Sequence, residues 1–206
     1  MRKLIITLFL FLTFISYAKV QLFNNPIFNK FVKYQDKSIQ NFRKVSITLD
    51  KNTSYPAGWT ISTNGMQVYG GKISSAIAKK RLVLHLAAPK QDIIFYMANR
   101  RYNYNQLKNK YLSITPVATG VGSYTPVAYG YDKKGKCIFY KKLSAVSLHK
   151  NKMPDVTPFT MQDFPQCENL ALGFAFRGKV TLYGASLETI TKEEMESIKK
   201  SNQLNR

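Results

Sequence analysis

Leu170-Ala171-Leu172-Gly173-Phe174-Ala175-Phe176-Arg177-Gly178-Lys179-Val180-Thr181-Leu182 is the stretch on which the fold turns. Leu170, Leu172, Phe174 and Phe176 share one parity, with only small residues between them. Successive side chains of a strand point to opposite faces, so this pattern predicts a strand with one large apolar face and one nearly bare face. Val180 and Leu182 repeat the pattern after Arg177-Gly178-Lys179, which reads as a turn.

Working outward, the same period of two recurs. Val45, Ile47 and Leu49 alternate with Ser46 and Thr48. Leu82, Leu84 and Leu86 alternate with Arg81, Val83 and His85; Ile93, Phe95 and Met97 follow, then Leu112 and Ile114. Turn chemistry lies between the runs: Asn64-Gly65, Gly70-Gly71 and Asp132-Lys133-Lys134-Gly135. Many short strands joined by such turns predict an all-β antiparallel sandwich or barrel. Two helices are expected. One spans Pro26 to Tyr34, where Ile27, Phe31 and Tyr34 have helical spacing. The other runs from about Lys192 to Ser201, opened by a capping box of Thr191 and Glu194, with Lys199-Lys200 in its last turn.

The N-terminus has the three parts of a secretory signal: Arg2-Lys3, the apolar run Leu4 to Ile15, and Ser16-Tyr17-Ala18 with small residues at the positions a signal peptidase reads. The apolar run is too short for a bilayer span, which needs roughly twenty residues. The organisation expected is a leader over 1–18, a β-sandwich over 19–188 and a helical tail over 189–206, with the product secreted or periplasmic. The formal charge of the chain is +20, and removing Arg2 and Lys3 with the leader leaves +18. Such a field favours anionic partners. Cys137 and Cys167 remain in the exported chain and are expected to form one disulfide, with free thiols as the alternative.

The order of motifs resembles the jelly-roll carbohydrate-binding modules of the galactose-binding-domain-like superfamily. Asn25-Pro26-Ile27-Phe28 is similar to their opening Asn-x-x-Phe element, and Gly58-Trp59-Thr60-Ile61-Ser62 to their Gly-Trp strand. Gly70-Gly71, Leu82 to Leu86 and Ile93 to Ala98 follow in the family's order. Leu170 to Phe176, Gly178, and Val180 to Leu187 ending Ala185-Ser186-Leu187 are similar to its close. The resemblance implies a jelly-roll β-sandwich with a core-packed Trp59, and a non-catalytic sugar-binding role. Members often hold a structural calcium with carboxylates near the first motif and in the last strand. Here Asn29 and Tyr183-Gly184-Ala185 stand at those places, so no calcium is expected.

The residues chosen as a binding surface lie between Tyr96 and Tyr111: Arg100, Arg101, Tyr102, Tyr104 and Gln106. Tyrosine rings stack on the apolar faces of sugars, and arginine pairs in bidentate fashion with carboxylate or sulfate. Arginine and tyrosine together also stack on nucleic-acid bases; against both readings stands a plain polar connection between strands. Tyr124, Tyr129 and Tyr131 cover one face of the sheet or simply pack at period two. His85 and His149 read as structural and solvated. The chain has no Gly-x-Ser-x-Gly elbow, no His-Glu-x-x-His helix and no phosphate-binding glycine loop, and its two Ser-x-x-Lys matches lack companion motifs. No cofactor, metal or specific nucleic acid is expected. The partner expected is a glycan or other anionic polymer at a cell surface. The alternatives are a secreted protein-interaction module (an adhesin or host-directed factor) and a glycan-active enzyme.

Overall fold

The computed structural model describes residues 19–33, 47–49, 54–62, 71–97 and 101–204. The signal-peptide segment, Arg100, Val45 and the Asn64-Gly65 turn lie outside the described residues. In chain order the strands are β1 (Phe31–Lys33), β2 (Ile47–Leu49), β3 (Ser54–Pro56), β4 (Trp59–Ser62), β5 (Gly71–Ala78), β6 (Arg81–Met97), β7 (Tyr102–Asn103), β8 (Tyr111–Tyr131), β9 (Cys137–Lys142), β10 (Val146–Leu148), β11 (Thr157–Thr160) and β12 (Asn169–Ile190). Two helices, α1 (Tyr104–Leu107) and α2 (Lys192–Leu204), accompany them.

The chain forms the antiparallel β-sandwich expected, with a C-terminal helix. Among the described strands only β2 and β5 pair in parallel. Three long strands, β6, β12 and β8, run side by side through both halves of the sandwich, with β12 in the middle. Leu170, Leu172, Phe174 and Phe176 from one half of β12 and Val180, Leu182 and Leu187 from the other all enter one core. The sheet is therefore folded over on its own apolar face.

Glycines make that fold possible. Gly122 pairs with Gly178, and Gly120 with Val180. Gly120, Gly122 and Gly178 have φ of 145°, 146° and 96°, a region closed to residues with a Cβ. The expectation of a turn at Arg177-Gly178-Lys179 is corrected here. All three residues stay paired, with Ser123, Gly122 and Val121 of β8, so the glycine serves a bend inside one strand and the chain does not reverse. Leu82–Leu86 and Ile93–Met97 likewise belong to a single strand, β6, whose register against β12 shifts between them.

The expected helix from Pro26 is also overturned. Asn25 and Phe28 have φ of 55° and 52°, and the chain turns there before entering β1. Asn25 Oδ1 accepts from Lys30 N at 3.0 Å, a local bond that competes with helix formation. Burial of Phe28 against Trp59, ring centroids 5.6 Å apart, holds the turn inward. Ala185 N donates to Pro26 O at 2.8 Å, so backbone joins the first motif to the last strand, and no carboxylate takes part in that contact. Trp59 is core-packed, as read from the sequence, against Phe23, Phe28 and Phe174.

The C-terminal helix has its capping box: Glu194 N donates to Thr191 Oγ1 at 3.1 Å, and Thr191 N to Glu194 Oε2 at 2.9 Å. The Thr191 backbone N–H, and after it the Lys19 ammonium 3.1 Å from Oε1, hold the Glu194 carboxyl below its usual range. Asn202 Nδ2 donates to Val156 O at 2.8 Å and ties the helix to the sandwich.

Cys137 and Cys167 are free thiols, which corrects the disulfide expectation. Cys137 on β9 pairs with Tyr131 of β8, while the chain just after Cys167 lies on the other side of the same residue: Glu168 N donates to Tyr131 O, and Asn169 pairs with Tyr131. The two cysteines therefore flank one strand at roughly two inter-strand spacings, about 9.5 Å. A disulfide reaches only about 7 Å between Cα atoms. Burial pushes the Cys167 thiol up, while Cys137 is exposed.

Candidate functional site

Two neighbouring clefts open where α1, the β8–β9 turn and the segment before β12 come together. Their shape begins with Asn103. Its Oδ1 accepts from Asn105 N at 3.0 Å and Gln106 N at 3.3 Å, which caps α1 and stops β7 after two residues. Buried Leu107 pins the short helix to the core. Tyr104 N donates to Glu168 O at 3.0 Å, and the Tyr104 hydroxyl to Met161 O at 3.1 Å. Both bonds reach the 161–168 segment, so α1 and that segment are held as two walls.

The first cleft, about 230 Å3, lies between those walls and is lined by Tyr104, Asn105, Lys108, Asn109, Gln162 and Gln166. Four of the six are carboxamides, and the single charge is positive. Gln162 sits in a one-turn 3-10 helix, Met161–Asp163, held by Thr160 N donating to Asp163 Oδ2 at 2.6 Å and by Phe164 packing on Phe159. The second cleft, about 400 Å3, shares Asn105 and Gln166 with the first and adds Asp132, Lys133, Ile138, Cys167 and Glu168. The turn on its rim is the expected Asp132–Gly135 hairpin: Gly135 N donates to Asp132 O at 3.0 Å, and Lys136 N to Asp132 Oδ1 at 2.8 Å. Asp132 is thus engaged as a turn former.

The residues singled out in the sequence separate here. The Arg101 guanidinium lies 3.7 Å from the centroid of the Tyr131 ring, a cation–π stack beside Gly135 at the edge of the second cleft. Tyr102 points inward. It pairs with Leu170 of β12, shares that residue's core-facing side, and donates from its hydroxyl to Leu22 O at 3.0 Å. Tyr104 is half-buried and lines the first cleft. Gln106 is exposed on α1, outside the lining of either cleft. Asn105, Lys108 and Asn109 were within the quoted stretch but not among the chosen residues. Gln162 and Gln166 lie about sixty residues downstream, in a segment with no local signal beyond polarity.

The three tyrosines of β8 divide between faces. Tyr124 is fully buried in the core, where desolvation pushes its hydroxyl up to about 12, and it packs on Phe174. Tyr129 and Tyr131 lie on the opposite side of the sheet. There Ile94, Val127, Tyr129, Ala171 and Ala175 form a second, smaller cluster, and Tyr140 packs on Tyr129 with centroids 4.8 Å apart. Asp92 closes one end of that cluster, paired with Lys142 and, at 2.9 Å, with Arg177 Nε. Among the described residues no group of three or more His, Cys, Asp or Glu side chains is placed to hold a metal ion.

No protein-family model matches the chain, and no curated protein matches it in sequence. Solved structures similar to it include the CBM22-1 xylan-binding domain of Paenibacillus barcinonensis Xyn10C, at 12% identity and a TM-score of 0.42 over 65% of this chain and 86% of that one. The CBM22-1–GH10 modules of Clostridium thermocellum xylanase 10B, solved with xylohexaose, are similar at 6% identity and a TM-score of 0.44, over 66% of this chain and 26% of that one. An accessory secretory protein structure from Streptococcus pneumoniae is similar at 12% identity and a TM-score of 0.34, covering 63% of this chain and 92% of that one.

Proposed function

We propose that this chain is a non-catalytic glycan-binding module whose site is the carboxamide-lined cleft beside α1. The observation that carries the reading is the convergence of Asn105, Asn109, Gln162 and Gln166 on one small cleft with Tyr104 and Lys108. A carboxamide offers a donor and an acceptor side by side, the pairing that neighbouring sugar hydroxyls require. No carboxylate lines this cleft, so it lacks the acid and base pair of glycoside hydrolysis. Lys108 supplies the one charge and favours an acidic sugar, in keeping with the positive balance of the chain. Arg101 stacked on Tyr131 extends the cationic rim toward the second cleft.

Titration calorimetry with uronic-acid, sulfated and neutral oligosaccharides tests this. Replacing both Asn105→Ala and Gln166→Ala is expected to weaken binding by about tenfold or more, since each hydrogen bond contributes roughly 1 kcal/mol, with the melting temperature unchanged. Lys108→Gln is expected to flatten the salt dependence. Wild-type affinity in the double variant places the site elsewhere, and absence of any oligosaccharide binding by the wild type ends the reading.

The same reading includes export. Cleavage after Ala18 is expected to leave Lys19 as the N-terminus of protein recovered outside the cytoplasm, checked by intact mass. An exported chain still beginning at Met1 contradicts it.

A further inference from the structure

β5 and β6 are joined by a two-residue hairpin, Ala78 pairing with Arg81 across Lys79-Lys80. Lys79 and Lys80 have φ of 48° and 62°. Two positive φ values in a two-residue loop define a type I′ turn, whose usual occupants are Asn-Gly because the left-handed region strains residues with longer side chains. Here both places hold lysine. Backbone strain that persists at an exposed position points to what the side chains do there.

The turn leads onto a face of the sheet that is open to solvent. On the outward side of the second half of the sandwich, one row across the strands reads Lys72, Ala87, Lys179, Val121, and the next reads Ser74, His85, Thr181, Thr119. Lys72, Lys79, Lys80, Arg81, His85 and Lys179 are all exposed. No Asp or Glu occurs in residues 71–88, 117–122 or 178–184, so these stretches themselves offer the cations no carboxylate. Lys72 and Lys179 stand two strand spacings apart, about 9.5 Å, in a row perpendicular to the strands.

We infer that this face, led by the Lys79-Lys80 turn, is a docking surface for a linear acidic polysaccharide running along β5 and β6 from that turn to the Lys72–Lys179 row, separate from the carboxamide cleft. The face is broad and exposed, which suits a polymer. Its cations match carboxylate or sulfate groups, and the hydroxyls of Ser74, Thr119 and Thr181 lie between them to meet sugar hydroxyls. A single-stranded nucleic acid needs a series of exposed rings for its bases, and these two rows carry a single one, the His85 imidazole. A lipid surface needs an apolar face to insert. The two most exposed aliphatic residues here, Ile77 and Val121, lie on opposite sides of the sheet, since Ile77 pairs with the inward-facing Leu82 and Val121 belongs to an outward row.

The test uses the full chain and a size-defined heparin fragment as probe, with affinity read by fluorescence anisotropy at several salt concentrations. Lys79→Asn with Lys80→Gly relieves the turn and removes two cations together. This variant is expected to melt at a higher temperature than wild type yet bind the probe roughly tenfold more weakly, two exposed ion pairs being lost. Lys72→Gln with Lys179→Gln is expected to weaken binding to a similar degree. Lys133→Gln with Lys134→Gln, an equal charge change on the β8–β9 turn, is expected to leave it within twofold. The inference is overturned if the β8–β9 turn variant weakens binding as much as the face variants, if wild type does not bind the probe, or if single-stranded DNA or anionic phospholipid vesicles bind this face more tightly than the heparin fragment. Failure of the cleft reading with the face variants behaving as expected leaves this surface standing, and the reverse holds equally.

Discussion

Trp59→Ala is expected to remove about 3–5 kcal/mol of folding stability, measured by urea or guanidinium unfolding. Trp59 is 2% exposed and is the largest of the fully buried side chains. Its ring meets Phe23 at 5.0 Å and Phe28 at 5.6 Å in edge-on contacts, and lies parallel to Phe174 within 14° at 6.5 Å. Phe23 and Phe28 belong to the N-terminal segment, whereas Phe174 lies at the centre of β12. Truncation therefore leaves a cavity and also removes the surface on which the 23–28 turn rests. Backbone contacts of that turn with β6 and β12, Leu82 N to Phe28 O and Ala185 N to Pro26 O, would have to hold it alone. A loss below about 1 kcal/mol would show that the site collapses around the missing ring, against the packing described.

Gly122→Ala is expected to be at least as damaging, more than about 3 kcal/mol, although it adds only a methyl group. At φ of 146° an L-residue is strained wherever it sits. Here the space is also taken: an added Cβ would stand 2.0 Å from Arg177 O and 2.9 Å from Gly178 Cα, both backbone atoms of the partner strand. Neither can move without opening the β8–β12 ladder where the sheet folds over. Val121→Ala, one residue away but 66% exposed, is the control and is expected to change stability by no more than about 0.5 kcal/mol. Equal, small effects at both positions would mean that the bend does not depend on glycine.

These two substitutions mark different depths of legibility. Trp59 in the core followed from the resemblance to jelly-roll modules and from the size of its side chain. The role of Gly122 did not. A glycine within alternating residues signals a bulge or a close approach, yet nothing nearby tells which strand approaches or whether the chain bends or reverses. The candidate site divides in the same way. Tyr104, Asn105, Lys108 and Asn109 lie in the stretch that stood out for its mixture of rings, amides and cations. Gln162 and Gln166 are brought opposite them only because Tyr104 bonds across to Glu168 and Met161.

Local covalent geometry determined what could be read directly. Alternation at period two follows from the pleat of an extended chain, so the core face of β12 was visible in Leu170 to Leu182. The capping box at Thr191 and the Asp132–Gly135 turn close within four or five residues and were visible for the same reason. Contacts distant in sequence decided the rest. Tyr102 points inward because β7 pairs with Leu170. Tyr124 and Tyr129 fall on opposite faces because an odd number of steps separates them in one continuous strand. Cys137 and Cys167 are kept apart because β8 runs between them. Parity along a strand states that a side chain has a face; only the pairing of that strand with its neighbours states what the face meets.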